Sequence, residues 1–239
     1  MAAWQELFDS CFETHGWGPA YADADYYTYV DGRSRYDGVA DVLASRGVDL
    51  PWGKPSDPPS ATTVCGLANA KNVAFMERLT SGVAPYPGTA EVLGRLASMG
   101  KKMAVVSSSR NAHEVLSRAG LKDFFDVVVD GRLAEEGALP GKPAPDTFWH
   151  AARSVGLEPG QCAVVEDALA GVTAGRAGGF GVVVGVDRGV GAAALTSAGA
   201  DVVVTSLDEL VGLPPPPAIT LPWRRPRRRQ SGSEGVGYE

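Results

Sequence analysis

Hydrophobic residues in the first third of the chain recur at the spacing of an α-helix. In AAWQELFDSCFETHG, one helical face would carry Trp4, Leu7, Phe8, Cys11 and Phe12. The stretches YDGVADVLASRG and TVCGLANAKNVAFMERL show similar spacing, and patterns typical of strands are nearly absent there. This part of the sequence therefore predicts an α-helical unit over residues 1–84.

The pattern changes after Tyr86-Pro87-Gly88. Short valine-rich runs (MAVVSS, FDVVV, CAVVED, GVVVGV and ADVVVTS) alternate with segments of helical character. Continuous apolar runs, as opposed to alternating ones, are typical of strands that are covered on both faces, as in βαβ units. The pattern therefore predicts an α/β fold with a parallel sheet over residues 85–213.

Composition is that of a globular protein, with 44% hydrophobic and 21% charged residues among 239. No run approaches the ~18 apolar residues of a membrane span, and the first residues do not resemble a signal peptide. We therefore expect a cytoplasmic protein without a membrane span. The three cysteines, Cys11, Cys65 and Cys162, have no metal-type spacing, so we expect buried free thiols.

The C-terminal segment 214–239 differs from the rest. It contains four successive prolines, a cluster of arginines at 224, 225, 227, 228 and 229, and a Gly/Ser-rich end. Such a composition buries too little apolar surface to fold alone, so we predict a disordered tail. The arginines could contact nucleic acid or an anionic membrane, but a solvated tail is the favoured interpretation.

Candidate chemistry follows the valine-rich runs, because ligands of open parallel sheets bind beyond the carboxyl ends of the strands. After MAVV comes SSSRN (107–111), at the start of the predicted helix NAHEVLSRAG. Hydroxyl groups beside the free N–H groups of a helix start favour a phosphate site. The structural alternative is helix capping by Ser109 or Asn111, with Glu114 completing a capping box.

A lysine and two acids occupy later strand ends. Lys142 precedes Pro143, which disfavours α conformation at the lysine and leaves its ammonium available to neutralise phosphoryl charge. Glu166 and Asp167 are adjacent, and oxygen ligands of this kind suit Mg²⁺. The structural alternatives are a surface lysine, an Asp167 that caps the helix ALAGVTAGRAG, and a Glu166 that points to solvent.

Together, VVSSSRN, GKPAPDTF and EDALAGVTAGRAGG resemble the second, third and fourth motifs of the haloacid-dehalogenase-like phosphotransferases, most closely the β-phosphoglucomutase-like branch. The resemblance implies a Rossmann-like core at 85–213 and an α-helical cap at 1–84. It also implies that Ser107 binds the transferring phosphoryl group and that Lys142 stabilises it. Glu166 with Asp167 would hold Mg²⁺.

The resemblance further assigns Ser108 and Asn111 to phosphate positioning. In the cap, Arg35 and Lys71 match positions that grip a second phosphate in β-phosphoglucomutase-like proteins, and Asn72 lies beside them. The alternative for these cap residues is a set of solvated helix charges. A second phosphate site favours a phosphomutase of a phosphorylated hexose. We also expect Mg²⁺ as the cofactor and a monomer. A sugar-phosphate phosphatase is the second hypothesis, and an inactive relative that binds a sugar phosphate or a partner is the third.

One family motif is absent. These enzymes attack phosphate with an aspartate of a D-x-D-G-type motif at the end of a central first strand. DADYY (23–27) follows no apolar strand, and Asp31-Gly32 lies between predicted cap helices. We therefore expect the first strand to lie upstream of Met1, because its absence would leave buried backbone groups unpaired at about 1–3 kcal/mol each. Without it, we expect the chain to be inactive.

Overall fold

The computed structural model describes residues 1–212. The predicted tail, 214–239, lies outside the described residues. The rest divides into an N-terminal helical part and a C-terminal part in which helices and strands alternate.

The N-terminal part is built from helices, as the hydrophobic spacing predicted. Its helices are α1 (Ala2–His15), the short α2 (Asp23–Asp25), α3 (Arg35–Ser45) and α4 (Val64–Thr80). Their apolar faces enclose one continuous cluster around Phe8, which stacks on Tyr21 at 4.9 Å between ring centroids. Because each amphipathic helix has one apolar face, the faces can be buried only against one another.

A π-helical turn, Tyr26–Val30, follows α2. Hydrophobic periodicity does not distinguish this geometry from a loop, and the sequence analysis did not anticipate it. Single π-helical turns are rare and are often found at functional sites, because they change the direction of the side chains that follow. The residue directly after this turn is Asp31.

The C-terminal part begins with α5 (Thr89–Ser98) and contains the five predicted strands. These are β1 (Ala104–Val106), β2 (Val127–Val129), β3 (Ala163–Glu166), β4 (Val182–Val186) and β5 (Val202–Val204). The helices between them are α6 (Ala112–Arg118), α7 (Gly131–Glu136), α8 (Asp146–Ser154), α9 (Leu169–Ala177) and α10 (Ala192–Ala198). The predicted α/β architecture with parallel strands and a helical cap is confirmed.

The strands form two separate parallel sheets. In one, β1 pairs with β2 in the register Ala104 to Val127, and in the other the order is β3-β4-β5. Within the described residues, β1 and β3 therefore each hydrogen-bond to a neighbouring strand along one edge only. The expected strand upstream of Met1 stays a prediction.

Helices cover these sheets unequally. Helix α8 packs against β1 and β2, α9 against β3 and β4, and α10 against β4 and β5. The interior of β4 is buried, but β3 alternates: Val164 is 4% exposed and Val165 is 47% exposed. The prediction that every strand is covered on both faces is therefore wrong for β3, because no described helix covers Val165.

Two further sequence predictions can be compared with the described residues. Cys11 and Cys65 are buried free thiols, as expected, and Cys162 is a half-buried free thiol. No helix in residues 1–212 combines the length and the apolarity needed to cross a membrane.

Candidate functional site

A cavity of about 320 Å³ lies between the helical part and the carboxyl ends of the strands. All nine predicted site residues line it. They are Arg35, Lys71 and Asn72 from the helical part, Ser107, Ser108 and Asn111 after β1, Glu166 and Asp167 at the end of β3, and Lys142. The prediction that Lys142 occupies a strand end is wrong, because α7 separates it from β2 and it lies in the loop between α7 and α8. Parallel strands present their carboxyl ends at the same edge, which is why residues far apart in sequence meet here.

Lys142 and Glu166 form a buried ion pair at the base of the cavity. Their side chains are 6% and 8% exposed, and the ammonium also donates to the Val106 carbonyl at 3.2 Å. The lysine therefore connects the end of β1 with the end of β3. The surface-lysine alternative is wrong: Lys142 lies in a loop, but its ammonium is buried.

The second carboxylate oxygen of Glu166 accepts hydrogen bonds from the backbone N–H groups of Asp167 and Ala168, at 3.1 and 3.3 Å. Negative charge is favourable at this position, because these are free donors just before α9. Glu166 is buried, so the alternative in which it points to solvent is wrong. The N-cap position of α9 is Ala168 and has no side-chain cap, so Asp167 does not cap this helix.

Asp167 lines the cavity, and its side chain does not cap α9. Burial, followed by the charge of Glu166, raises the pKa of its carboxyl group. Among residues 1–212, no group of three or more His, Cys, Asp or Glu side chains is arranged to hold a metal ion. The donor set nevertheless fits Mg²⁺, which commonly binds one or two carboxylates and completes its shell with water and phosphate oxygens.

The serine loop after β1 is held by its own hydroxyl groups. Ser107 Oγ accepts the backbone N–H of Ser109 at 3.2 Å, and Ser109 Oγ accepts the N–H of Asn111 at 3.1 Å. Asn111 occupies the N-cap position of α6 but makes no side-chain cap, and Glu114 pairs with Arg118 instead. The expected capping box is therefore absent. Ser107 keeps its hydroxyl proton free to donate into the cavity.

Ser108 and Asn111 connect the two parts of the molecule. Ser108 Oγ donates to the Gly32 carbonyl at 2.7 Å, and the Asn111 amide donates to Asn72 Oδ1 at 2.7 Å. Gly32 has a φ of +74°, and a β-carbon on it would lie 2.8 Å from Ala168 Cβ. The helical part therefore closes on the strand ends through a contact that only glycine allows.

The upper wall of the cavity is cationic. Arg35 donates to the hydroxyl of Tyr36 at 2.9 Å and to Asn69 Oδ1 at 3.0 Å, while its Nε atom is buried without a partner. Lys71 lies over the rings of Trp4 and Phe75, at 4.5 and 4.9 Å from the centroids. Burial, and then the charge of Arg35, lowers the pKa of Lys71 to about 8.

Four charged residues that line this cavity were not predicted from the sequence: Asp31, Arg33, Arg110 and Glu135. Arg110 approaches the Tyr36 hydroxyl at 3.3 Å and pairs with Glu135 at 3.2 Å. Asp31 lies beside the Tyr26 hydroxyl, and burial together with the charge of Asp167 raises its pKa to about 6. Arg110 belongs to the quoted SSSRN motif and was thus within reach of sequence reasoning. Asp31 had no comparable signal, because its position depends on the π-helical turn.

The strand ends of the α/β unit face the helical unit across a polar cavity, which is the architecture of an α/β protein with a cap over its ligand site. Comparison with known families agrees: the haloacid dehalogenase-like hydrolase family matches residues 12–179. The chain belongs to this family, within its β-phosphoglucomutase-like branch. Over 219 residues it is 44% identical to a β-phosphoglucomutase of Mycobacterium tuberculosis, an alignment that covers 87% of this chain and 84% of that protein.

Solved structures show the same fold. A β-phosphoglucomutase from Clostridium difficile matches with a TM-score of 0.71 and 24% identity, covering 87% of this chain and 84% of that one. A haloacid dehalogenase family hydrolase from Deinococcus radiodurans, solved with bound phosphate and sodium, matches with a TM-score of 0.60 and 29% identity. That match covers 87% of this chain and 86% of the hydrolase.

Proposed function

We propose that this protein binds a hexose phosphate for Mg²⁺-dependent phosphoryl transfer, with a phosphomutase reaction as the first candidate. One observation carries the proposal: a hydroxyl after β1, a carboxylate pair at the end of β3 and an ammonium from the loop between α7 and α8 line a single cavity with cap cations. A single member of this set is common on protein surfaces. Their convergence in one polar cavity is the arrangement that phosphoryl transfer requires.

Two residues of this chain would contact the transferring phosphoryl group in different ways. Ser107 would donate its free hydroxyl proton to a phosphoryl oxygen, and Lys142 would neutralise charge on the same group. The Glu166 carboxylate holds the Lys142 ammonium against the Val106 carbonyl. This contact fixes the lysine before substrate arrives, so that less entropy is lost on binding.

Asp167 would hold Mg²⁺, with Glu166 beside it. When bound, Mg²⁺ supplies positive charge to the phosphoryl oxygens. The raised pKa of Asp167 supports this role, because a cation beside it would relieve the unfavourable burial of its charge.

A cluster of three further cations favours a mutase over a phosphatase. Arg35 and Arg110 both approach the Tyr36 hydroxyl, at 2.9 and 3.3 Å, and the charge of Arg35 acts on Lys71. Such a cluster would suit a substrate or intermediate with a second phosphate. A sugar-phosphate phosphatase remains the second candidate, supported by the 29% identical hydrolase solved with phosphate. A relative that binds sugar phosphate without turnover is the third.

The test combines binding and turnover, because the cavity contains no aspartate of a D-x-D motif. The purified chain is titrated with β-glucose 1-phosphate by calorimetry, with and without Mg²⁺. Phosphorus NMR then follows glucose 6-phosphate and free phosphate in the same samples. We expect Mg²⁺-dependent binding, and glucose 6-phosphate as the product wherever turnover is seen.

The alternative outcomes are distinct. Free phosphate without isomer would favour the phosphatase, whereas binding without either product would favour the non-catalytic relative. Failure of β-glucose 1-phosphate and of other hexose phosphates to bind would overturn the proposal. Asp167→Ala serves as the metal control, since it should remove the effect of Mg²⁺ on binding while leaving the melting curve cooperative.

A further inference from the structure

Among residues 1–100, all of which the structure describes, Asp31 is the only acidic residue that lines the cavity. The π-helical turn Tyr26–Val30 ends directly before it, and its backbone N–H donates to the Tyr26 carbonyl at 2.9 Å. The Tyr26 hydroxyl lies beside its carboxylate. The carboxylate is therefore held by the end of the turn, and its direction does not depend on a mobile loop.

The next residue fixes Asp31 relative to the strand ends. The Gly32 carbonyl accepts a hydrogen bond from the Ser108 hydroxyl. A β-carbon at Gly32 would collide with Ala168, so the two residues are in close contact. Ala168 directly follows Asp167. When the cap is closed, as here, the Asp31 carboxylate therefore lies at the phosphate end of the cavity, on the opposite wall from Asp167.

Among the ion pairs of residues 1–212, none includes Asp31. Arg33, two residues away, pairs with Asp41, and Lys142 pairs with Glu166. The described residues also lack a three-acid arrangement for a metal that would include Asp31. A half-buried carboxylate outside any such ion pair is stabilised by hydrogen-bond donors, and sugar hydroxyls can supply them.

We infer that Asp31 is a specificity-determining residue that accepts a hydrogen bond from the sugar hydroxyl next to the esterified carbon and repels substrates with a carboxylate at that position. This inference rests on the proposed function and adds a substrate class to it. The favoured ligand is a polyhydroxylated, uncharged sugar carrying phosphate. A small phosphate ester with a neighbouring carboxylate would place two anions beside Asp31 and Asp167.

The test is a cycle of two proteins and two ligands, read by calorimetric affinity in Mg²⁺. Wild type and Asp31→Asn are each titrated with β-glucose 1-phosphate and with its 2-deoxy analogue, which lacks the hydroxyl in question. In wild type, loss of the hydroxyl should weaken binding about tenfold or more, since the bond is to a charged acceptor. In Asp31→Asn the same loss should change affinity less than about threefold.

Phosphoglycolate provides the second arm. Its affinity relative to β-glucose 1-phosphate should rise by about tenfold in Asp31→Asn, because the variant removes a negative charge from the cavity. Asp23→Asn is the matched control, since Asp23 is an exposed cap carboxylate away from the cavity. It should behave as wild type in both arms.

The outcomes separate the two proposals. Suppose that wild type binds β-glucose 1-phosphate and that removal of the 2-hydroxyl lowers affinity by the same factor in wild type and in Asp31→Asn. The assignment of Asp31 is then overturned, and the proposed function stands. If no hexose phosphate binds wild type, both are overturned. Should Asp31→Asn fail to fold, wild type alone decides: equal affinity for the two sugars contradicts the inference.

Discussion

The carboxyl group of Glu166 lies against the α-carbon of Gly171, in the first turn of α9. A β-carbon at position 171 would be 2.2 Å from Glu166 Cδ. Because Gly171 has no side chain, the Glu166 carboxylate has room to reach Lys142. A glycine inside a helix lowers stability by about 0.5–1 kcal/mol relative to alanine. Here the absence of a side chain leaves room for the ion pair at the base of the cavity.

Gly171→Ala should therefore impair phosphate binding by displacing Glu166 from Lys142. We expect at least a tenfold loss of affinity for β-glucose 1-phosphate and lower stability, since a buried charge loses its partner. Gly94→Ala is the matched control, because Gly94 also lies in a helix but has open space around its α-carbon. This control should be more stable by about 0.5–1 kcal/mol and bind normally. Equal behaviour of the two variants would contradict the role of Gly171.

The two adjacent serines should contribute differently. Ser107 can donate into the cavity, whereas Ser108 donates to the Gly32 carbonyl of the cap. Ser107→Ala should weaken phosphate binding about tenfold or more, and Ser108→Ala less than about fivefold, because only the former removes a donor to a charged ligand. Titration calorimetry of both variants measures the difference. A larger loss in Ser108→Ala would show that its hydroxyl leaves the cap when phosphate binds.

Lys71 should lower the stability of the protein while it supports binding. Its pKa of about 8 lies below the usual 10.5, so the unfolded chain holds the proton more tightly than the folded protein. The contribution of this group to stability therefore rises as pH increases from about 8 to about 10.5. Lys71→Met should increase the free energy of unfolding near pH 7 by about 1–3 kcal/mol, with the lost contacts to aromatic faces offsetting part of the gain.

The same substitution should weaken the binding of phosphate ligands. In wild type, affinity should fall as pH rises through about 8, because Lys71 loses its charge there. In Lys71→Met this step should be missing. Urea unfolding and calorimetry across pH 6.5–9 check both effects, and a destabilised variant with unchanged affinity would contradict them.

A buried ion pair in the cap should determine part of the acid stability. Arg46 donates to both carboxylate oxygens of Asp25, at 3.0 and 2.5 Å, and the side chains are 8% and 13% exposed. The Arg46 hydrogen bonds lower the pKa of Asp25. Its stabilising contribution is thus fully present above the ordinary Asp pKa, near 3.8, and is lost as pH falls through the lower folded value.

Arg46→Met should cost about 3–5 kcal/mol, because it leaves the Asp25 carboxylate buried without its partner. Arg78→Met is the control, since Arg78 pairs with Glu6 on the surface, where the two side chains are 55% and 59% exposed. This control should change stability by less than about 1 kcal/mol. Chemical unfolding at pH 7 and pH 3 measures both, and the gap between the variants should narrow at the lower pH.

Truncation of two neighbouring valines of β3 should destabilise the protein to very different extents. Val164 packs with Phe148 and Ala174, so Val164→Ala should cost about 2 kcal/mol of unfolding free energy. Val165 is largely exposed, and Val165→Ala should cost less than about 0.5 kcal/mol. Urea midpoints of the two variants decide the point. A large cost at Val165 would mean that something covers this face of β3 in solution.

Much of the architecture was predictable from the sequence because its causes are local. Each valine-rich run became a strand, and the apolar face of AAWQELFDSCFETHG became part of the helical cluster. The positions of Ser107 and Asp167 in one cavity followed from the rule that parallel strands end at the same edge. These conclusions need only side-chain periodicity and strand direction.

Only the tertiary structure decided how the charges are paired and which further residues enter the site. The sequence could not show that Glu166 reaches Lys142 across the space left by Gly171, because that contact depends on the approach of a helix to a strand. It also could not show that a π-helical turn directs Asp31 toward the strand ends, or that Ser108 holds the cap closed. Pattern determines which elements form, whereas distances between elements determine which groups meet.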